Sequence, residues 1–204
     1  MRKLSHKEIL ALREKNRELE RSPISICLNN VRSLYNVGAI FRIADGIRAG
    51  KVYLCGITGK PPDRFITKTA LGAEESVPWE YHKDVCDLLQ KLKASGHQII
   101  AMEHVEQSID YADVKINFPL CLIVGNEVNG VDSDVLSLSD LAVEIPMLGE
   151  KNSLNVAVAA GIVAYRFLRE YSLLTATHPE QANEMSASKG FLEGNPSTRC
   201  ARSG

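Results

Sequence analysis

Two runs of apolar residues constrain the fold of this chain more than any other feature of its sequence. Leu120–Val124 is apolar throughout, and Leu141–Ile145 is apolar apart from one glutamate. A strand with one solvated face carries a polar residue at every second position, whereas a parallel strand covered by helices on both faces is apolar along its whole length. The two runs therefore predict a parallel sheet with helices on both sides.

Further strand and helix patterns alternate along the chain. Three more strands are predicted, at Ile24–Leu28, Lys51–Cys55 and Gln98–Met102. Helical spacing of apolar residues predicts helices over Ser5–Arg21, Val37–Ile47, Phe65–Gly72, Lys83–Ser95 and Leu154–Tyr171, with Pro23 breaking the first. Strands that alternate with helices indicate an α/β fold with a mainly parallel sheet flanked by helices.

The length of 204 residues suits one ordinary domain. The sequence predicts a basic N-terminal helix over 1–22, a single domain over 23–171 and a flexible C-terminal tail over 172–204, which is rich in Ser, Thr, Asn and Gly. No apolar run approaches the roughly 18 residues of a membrane span, and no signal-peptide core is present. We therefore expect a cytoplasmic protein without a membrane partner.

The cysteines and histidines do not suggest a metal site. The five cysteines form no C-x-x-C pair, and Cys27, Cys55 and Cys121 lie inside strand candidates. This placement predicts buried, reduced thiols rather than disulfides or a zinc site. The five histidines are scattered along the chain. The prediction for metals is none.

Local charge differs from the net charge of −1. Between Asn29 and Thr69 there are seven basic residues and two acidic ones, and Met1–Arg21 holds seven basic residues and four acidic ones. Basic patches of this kind are what contacts with nucleic-acid phosphates require. A solvated face is the alternative that charge alone leaves open.

Three polar segments are candidates for a functional site. The first, N-V-G-A-I-F-R, places Asn36 where it could cap a helix and Arg42 among Phe41, Ile43 and Ala44. A guanidinium in apolar surroundings usually has an anionic partner. An ordinary helix cap with a surface arginine is the alternative interpretation.

The other two segments follow predicted strands. The strand at Leu120–Val124 ends at Gly125, where a ligand could approach the backbone, and Glu127 follows; a plain turn is the alternative. The last strand ends at Pro146 and leads through a polar loop into a helix that begins near Ser153 and Asn155. Such a helix start offers N–H groups to a ligand, although capping alone would explain either side chain.

The order of these motifs resembles the SpoU/TrmH branch of the SPOUT RNA methyltransferases. The similarity lies in N-x5-R, then V-G-N-E-x-x-G, then I-P-M-x-G-x-x-x-S-L-N-V-x-V-A, and it extends over roughly Ile24–Glu170. Lys68–Ala73 is also similar to the family. Ala157 departs from the serine of many members, and no separate RNA-binding domain precedes Ile24.

The resemblance implies a sheet whose C-terminal segment forms a trefoil knot, an arrangement that pattern reasoning alone would not propose. In the family this knot binds S-adenosylmethionine largely through backbone groups. The matching cofactor-binding positions here are Val124, Gly125, Ile145, Met147 and Leu154. Family members are homodimers in which residues of the first motif complete the partner's site, so we expect a homodimer.

The implied reaction is methyl transfer to a ribose 2′-hydroxyl of RNA, with tRNA favoured and ribosomal RNA next. The matching catalytic residues are Arg42, Asn36, Glu127, Ser153 and Asn155. Arg42 is expected beside the target hydroxyl, either as a base or as a charged stabiliser. A neutral guanidine is difficult to form near pH 7, because the pKa of arginine lies above about 12. The expected RNA contacts are Arg32, Lys60, Arg64 and Lys68.

Three other functions are common in α/β chains of this length, and two of them require motifs that this sequence lacks. A dinucleotide-dependent oxidoreductase requires a G-x-G-x-x-G fingerprint, which this chain lacks. A serine hydrolase requires Ser153 within G-x-S-x-G, but its neighbours are Asn152 and Leu154. A non-catalytic RNA-binding protein with the same fold is the remaining alternative.

Overall fold

The computed structural model describes residues 1–177, which contain one seven-stranded sheet. The strands are β1 Ser22–Asn29, β2 Ala49–Cys55, β3 Trp79–His82, β4 Gln98–Met102, β5 Ile109–Asp110, β6 Leu120–Val124 and β7 Leu141–Glu144. All neighbouring strands are parallel, and their spatial order is β3-β2-β1-β6-β4-β7-β5. The predicted α/β fold with a parallel sheet is confirmed.

Helices cover both faces of this sheet. They are α1 His6–Arg17, α2 Leu34–Gly46, α3 Arg64–Ala70, α4 Ala73–Ser76, α5 Val85–Ala94, α6 Ser133–Leu138 and α7 Val156–Thr177. One buried cluster joins the sheet to α2 and α7, and a second joins its other face to α5 and α6. Central strand β6 is buried at every position, as its apolar run predicts, whereas β7 lies beside a two-residue edge strand and buries only Val143.

Several element boundaries differ from the predicted ones. Helix α1 ends at Arg17, and Pro23 lies inside β1, where a register shift between Ser22 and Ser25 accommodates it. Helix α7 continues to Thr177, beyond the predicted start of the tail at 172, and the rest of that tail lies outside the described residues. Strands β3 and β5 and helix α6 were not predicted, because short elements with few buried positions leave a weak apolar pattern.

Cys27, Cys55 and Cys121 are buried and free, as predicted, and the Sγ atoms of Cys27 and Cys55 lie 3.6 Å apart. Within residues 1–177, no three His, Cys, Asp or Glu side chains are grouped so that they could hold a metal ion. No helix of this part of the chain is long and apolar enough to span a membrane.

The topology brings the functional segments to one edge of the sheet. Strands β6, β4 and β7 are neighbours and run in the same direction, so the loops that follow them meet at their carboxyl ends. After β7 the chain returns towards the middle of the sheet, where α7 packs against α2, β1 and β6. The segment between β7 and α7 therefore crosses the end of the sheet above β4.

Candidate active site

A cavity of about 880 Å³ lies at the carboxyl ends of β4, β6 and β7. This volume is within the range of about 300–1,000 Å³ found for small-molecule sites. Its wall includes four of the five predicted cofactor-binding positions, Gly125, Ile145, Met147 and Leu154. The fifth, Val124, is fully buried in the core and does not line the cavity.

Gly125 is required by the fold of the loop that follows β6. The backbone groups of Asn126 and Gly130 exchange two hydrogen bonds of 2.9 Å. A Cβ atom at Gly125 would lie 2.3 Å from the carbonyl carbon of Gly130. The glycine is therefore needed for close contact between backbones, a different constraint from the ligand approach that the sequence suggested.

Glu127 is the centre of a hydrogen-bond network at the mouth of this cavity. Its Oε1 accepts from the side-chain amide of Asn36 at 2.9 Å and from the backbone N–H of Ser33 at 3.0 Å. Its Oε2 accepts from the backbone N–H of Arg32 at 2.9 Å. The amide of Asn155 then donates to Oδ1 of Asn36 at 3.1 Å. Three of the five predicted catalytic residues thus meet, from segments far apart in the sequence.

The pKa of Glu127 reflects this network. Partial burial raises the pKa of the carboxyl, but hydrogen bonds from the Arg32 backbone, the Asn36 side chain and the Ser33 backbone together lower it below its ordinary value. The carboxylate is therefore charged at neutral pH, and both of its oxygens are occupied by donors. Such a group is suited to holding other groups in place rather than to accepting a proton.

Asn36 and Asn155 differ in that only Asn155 caps the start of a helix. Ser33, and not Asn36 as predicted, is the N-cap of α2, and its hydroxyl accepts from the N–H of Asn36 at 3.3 Å. The side chain of Asn36 in the first turn is thereby left for Glu127 and Asn155. Asn155 does cap its helix, because its Oδ1 accepts from the N–H groups of Ala157 at 3.0 Å and Val158 at 3.4 Å.

Arg42 and Ser153 lie outside the network. A residue six positions after Asn36 is turned about 120° away around the helix. Arg42 is exposed, so the expected apolar surroundings were wrong, and it forms no hydrogen bond or ion pair with another of residues 1–177. Ser153 is an exposed part of the cavity wall and forms no hydrogen bond in the same part of the chain.

The sequence interpretation missed Glu103, which follows β4 and lines the cavity. Its Oε2 accepts from the N–H of Val131 at 2.7 Å, and its Oε1 accepts from the N–H of His104 at 3.0 Å. Glu103 therefore ties the end of β4 to the loop that carries Glu127. The available signal was the one used for Glu127, a carboxylate directly after an apolar strand.

The four predicted RNA contacts are exposed, and three of them lie near aromatic rings. The Nζ atom of Lys60 is 4.3 Å from the ring centroid of Tyr81, and the other two are Arg64 over Phe65 at 4.5 Å and Lys68 over Tyr35 at 5.8 Å. Arg32 contributes its backbone N–H to the network described above. Other cations of the same patch have internal partners, such as Lys51, which is 2.6 Å from Glu80.

The known proteins that are similar to this chain in sequence and in structure include enzymes named for methylating or modifying RNA. A tRNA (guanosine(18)-2′-O)-methyltransferase of Thermus thermophilus is 31% identical over 147 residues, which are 72% of this chain and 75% of the relative. The crystal structure of the Aquifex aeolicus TrmH/SpoU tRNA modifying enzyme has a TM-score of 0.71 and 29% identity, covering 80% of this chain and 85% of that one. An AdoMet-bound rRNA methyltransferase from Sinorhizobium meliloti has a TM-score of 0.69 and 28% identity, and the match covers 74% of this chain and 57% of that one.

The family model of the SpoU rRNA methylases matches residues 23–165. This range contains the sheet, the cavity and the network of Glu127, Asn36 and Asn155. The chain belongs to the SpoU rRNA Methylase family, also called the SpoU/TrmH family.

Proposed function

We propose that this protein transfers the methyl group of S-adenosylmethionine to a ribose 2′-hydroxyl of RNA, with tRNA as the favoured substrate and ribosomal RNA next. The observation on which the proposal rests is the hydrogen-bonded chain from Asn155 through Asn36 to Glu127 at the mouth of the cavity. The relatives that support the choice of substrate are named for tRNA and rRNA methylation. A non-catalytic RNA-binding protein is not favoured, since it has no need for this network.

The cavity suits S-adenosylmethionine in size and in chemistry. We assign its binding to the backbone at Gly125, Ile145, Met147 and Leu154, all of which line the cavity. Glu103 lies in the same wall, and each of its oxygens retains a free lone pair beyond its backbone hydrogen bond. When bound, the cofactor supplies a methyl group on a positively charged sulfur.

As the 2′-oxygen takes the methyl group, the carbon–sulfur bond breaks and the hydroxyl proton passes to solvent. The residues of the chain must align the 2′-hydroxyl and stabilise the negative charge that develops on its oxygen. The network of Glu127 holds Asn36 and the start of α7 in a fixed relation, which favours alignment. We assign Arg42 the charged role, because an exposed guanidinium can stabilise the negative charge of an alkoxide. Ser153, in the cavity wall, is placed to orient substrate or cofactor.

The same arrangement supports the proposal of a homodimer. Arg42 is turned away from its own chain's Glu127 network, so we propose that it completes the site of a partner. Helix α7, which packs against α2, carries exposed apolar side chains, with Val158 52% and Tyr165 51% accessible. Apolar surface of this kind supports an interface between subunits.

The knotted arrangement is also part of the proposal. It is supported by the path of the chain between β7 and α7, which crosses above β4 before α7 packs against β1 and β6. The cytoplasmic location, the flexible tail beyond residue 177 and the absence of a metal stay predictions from the sequence.

The decisive experiment is incubation of the purified protein with labelled S-adenosylmethionine and separate pools of unmodified tRNA and ribosomal RNA, followed by nucleoside analysis by mass spectrometry. We expect a 2′-O-methylated nucleoside, from the tRNA pool first. Binding of the cofactor without methylation of either pool would contradict the proposed substrate. Absence of cofactor binding would contradict the proposed reaction.

A further inference from the structure

An exposed surface beside the candidate active site combines aromatic rings with cations. We call it the aromatic–basic surface, and it consists of Tyr35, Phe65, Tyr81, Lys60, Arg64 and Lys68. Tyr35 and Tyr81 are 45% and 39% accessible, although tyrosine is usually more buried than this. Each ring has one of the three cations within 6 Å of its centroid.

The cations of this surface are not neutralised by acids. In residues 1–177, Lys60, Arg64 and Lys68 form no ion pair, in contrast to Lys93, which lies 2.6 Å from Asp140. The nearest acid in sequence, Asp63, is occupied as the N-cap of α3, where it accepts from the N–H of Phe65 at 2.8 Å. The surface therefore presents three cations that are held in no ion pair within residues 1–177.

The rings are held in place before any ligand binds. The hydroxyl of Tyr81 donates to the carbonyl oxygen of Gly56 at 2.9 Å. The rings of Tyr35 and Phe65 are 5.6 Å apart at an angle of 60°, and Thr69 donates to the carbonyl oxygen of Tyr35 at 3.0 Å. Contacts of this kind reduce the side-chain entropy that the rings lose when a ligand stacks on them.

The position of the surface links it to the reaction. Tyr35 directly precedes Asn36 of the Glu127 network, and it lies two helical turns before Arg42 on the same face of α2. A ligand on this surface would therefore continue towards Arg42, and so towards the partner's site that Arg42 completes in the proposed dimer. Lys60 and Arg64 are four residues apart, so their Cα atoms lie at most about 14 Å from each other.

We infer that the aromatic–basic surface binds unpaired nucleotides next to the methylated one, with bases stacked on the rings of Tyr35, Phe65 and Tyr81 and phosphates on the three cations. This inference rests on the proposed function. Phosphates alone would need only the cations, whereas an exposed ring face suits a base that is not already stacked inside a duplex. The substrate region is therefore a loop or another single-stranded segment of a folded RNA.

The test compares ring removal with charge removal. Fluorescence anisotropy would measure binding of a labelled stem–loop RNA and of a fully paired RNA of equal length across a salt series. We expect Tyr35→Leu and Tyr81→Leu each to weaken stem–loop binding by about 5- to 150-fold without changing the salt slope. Lys60→Ala and Lys68→Ala should each reduce that slope by about 0.7 for every phosphate that the variant no longer neutralises. Binding of the paired RNA should change less than twofold in the tyrosine variants.

Conservative variants and a distant lysine provide the controls. Tyr35→Phe keeps the ring and should bind like the unaltered protein, whereas Tyr81→Phe keeps the ring but loses its bond to Gly56 and should weaken binding less than Tyr81→Leu does. Lys91→Ala on α5 should leave binding and its salt slope unchanged. Cofactor affinity, measured by calorimetry, should be the same in every variant and would show that the site is folded.

Two results would overturn the inference. One is unchanged stem–loop affinity in both leucine variants, and the other is an equal loss for stem–loop and paired RNA. If the unaltered protein bound cofactor but neither RNA, the proposed function itself would fail, and this inference with it.

Discussion

At the scale of single residues, Glu127 organises the site through the donors that surround it. Its two oxygens accept three hydrogen bonds from Arg32, Ser33 and Asn36. A carboxylate can satisfy all three donors, whereas a glutamine would direct an N–H group at one of them. The negative charge and the acceptor geometry are therefore both needed.

Glu127→Gln should lower the rate of methylation by about 10- to 100-fold, because the alignment of Asn36 is lost. One unsatisfied backbone donor at this partly exposed position should cost about 1 kcal/mol, which lowers Tm by about 2–4 °C. Single-turnover methylation and calorimetry measure the two effects. Glu106→Gln, in an exposed loop, is the matched control; a rate equal to that of the unaltered protein in Glu127→Gln would contradict the role given to this residue.

The depressed pKa of Glu127 also has a consequence for stability. Because the folded state holds the pKa below its ordinary value of 4.5, the carboxylate stabilises the fold fully above that pH, and this stabilisation is lost as the pH falls through the lowered pKa. The Tm difference between the unaltered protein and Glu127→Gln should therefore shrink between about pH 6 and pH 3. A difference that grows towards acid would show the opposite sign and contradict the assignment.

At the scale of elements, Asn155 has two functions that one substitution can separate. It caps α7 through Oδ1 and donates to Asn36 through its amide. Aspartate keeps the capping oxygen but has no N–H to donate. Asn155→Asp should therefore leave Tm within about 2 °C of the original, while methylation falls about tenfold or more.

Asn155→Ala is the comparison for this variant, because it loses both functions. It should lower Tm by a further few degrees, corresponding to the roughly 1 kcal/mol contribution of an N-cap. Equal activity in Asn155→Asp and the unaltered protein would show that the bond to Asn36 has no catalytic importance. Thermal unfolding and methylation assays on the same preparations decide this.

The packing of α2 against α3 depends on Gly38. A Cβ atom there would lie 2.3 Å from the carbonyl oxygen of Ile66, which is backbone and cannot move aside easily. Gly38→Ala should destabilise the protein by about 1–3 kcal/mol in chemical denaturation, despite the better helix propensity of alanine. Gly46→Ala, in the same helix, meets only the hydroxyl end of exposed Tyr165 and should be neutral within about 1 kcal/mol. Equal stability of the two variants would contradict this account.

At the scale of the whole molecule, the proposed dimer makes a prediction about which subunit supplies Arg42. As homodimers, Arg42→Ala should be nearly inactive and Asn155→Asp should keep about a tenth of the original activity or less. A mixed dimer of the two, purified with two different tags, should regain about half of the original activity, because one of its two sites then has every group intact. An inactive mixed dimer would place Arg42 in its own chain's site.

The sequence by itself determined the fold class, the reduced cysteines and the segments that form the site. Apolar strand runs and helical spacing are local properties, and burial on both faces of a parallel sheet imposes them directly. The motif order adds a resemblance to a known family. Glu127 and Asn155 were found in this way. The sequence also located the cavity, because loops after parallel strands meet at one edge.

Only the tertiary structure decided the hydrogen-bond partners and the exposure of the site residues. Which segments meet in space decides four features of the site: the cap at Ser33, the bond from Asn155 to Asn36, the exposure of Arg42 and the burial of Val124. The three rings come from different elements, Tyr35 from α2, Phe65 from α3 and Tyr81 from β3, so no sequence pattern links them. Hydrogen-bond partners and side-chain exposure arise from contacts between residues distant in sequence, and no local periodicity encodes them.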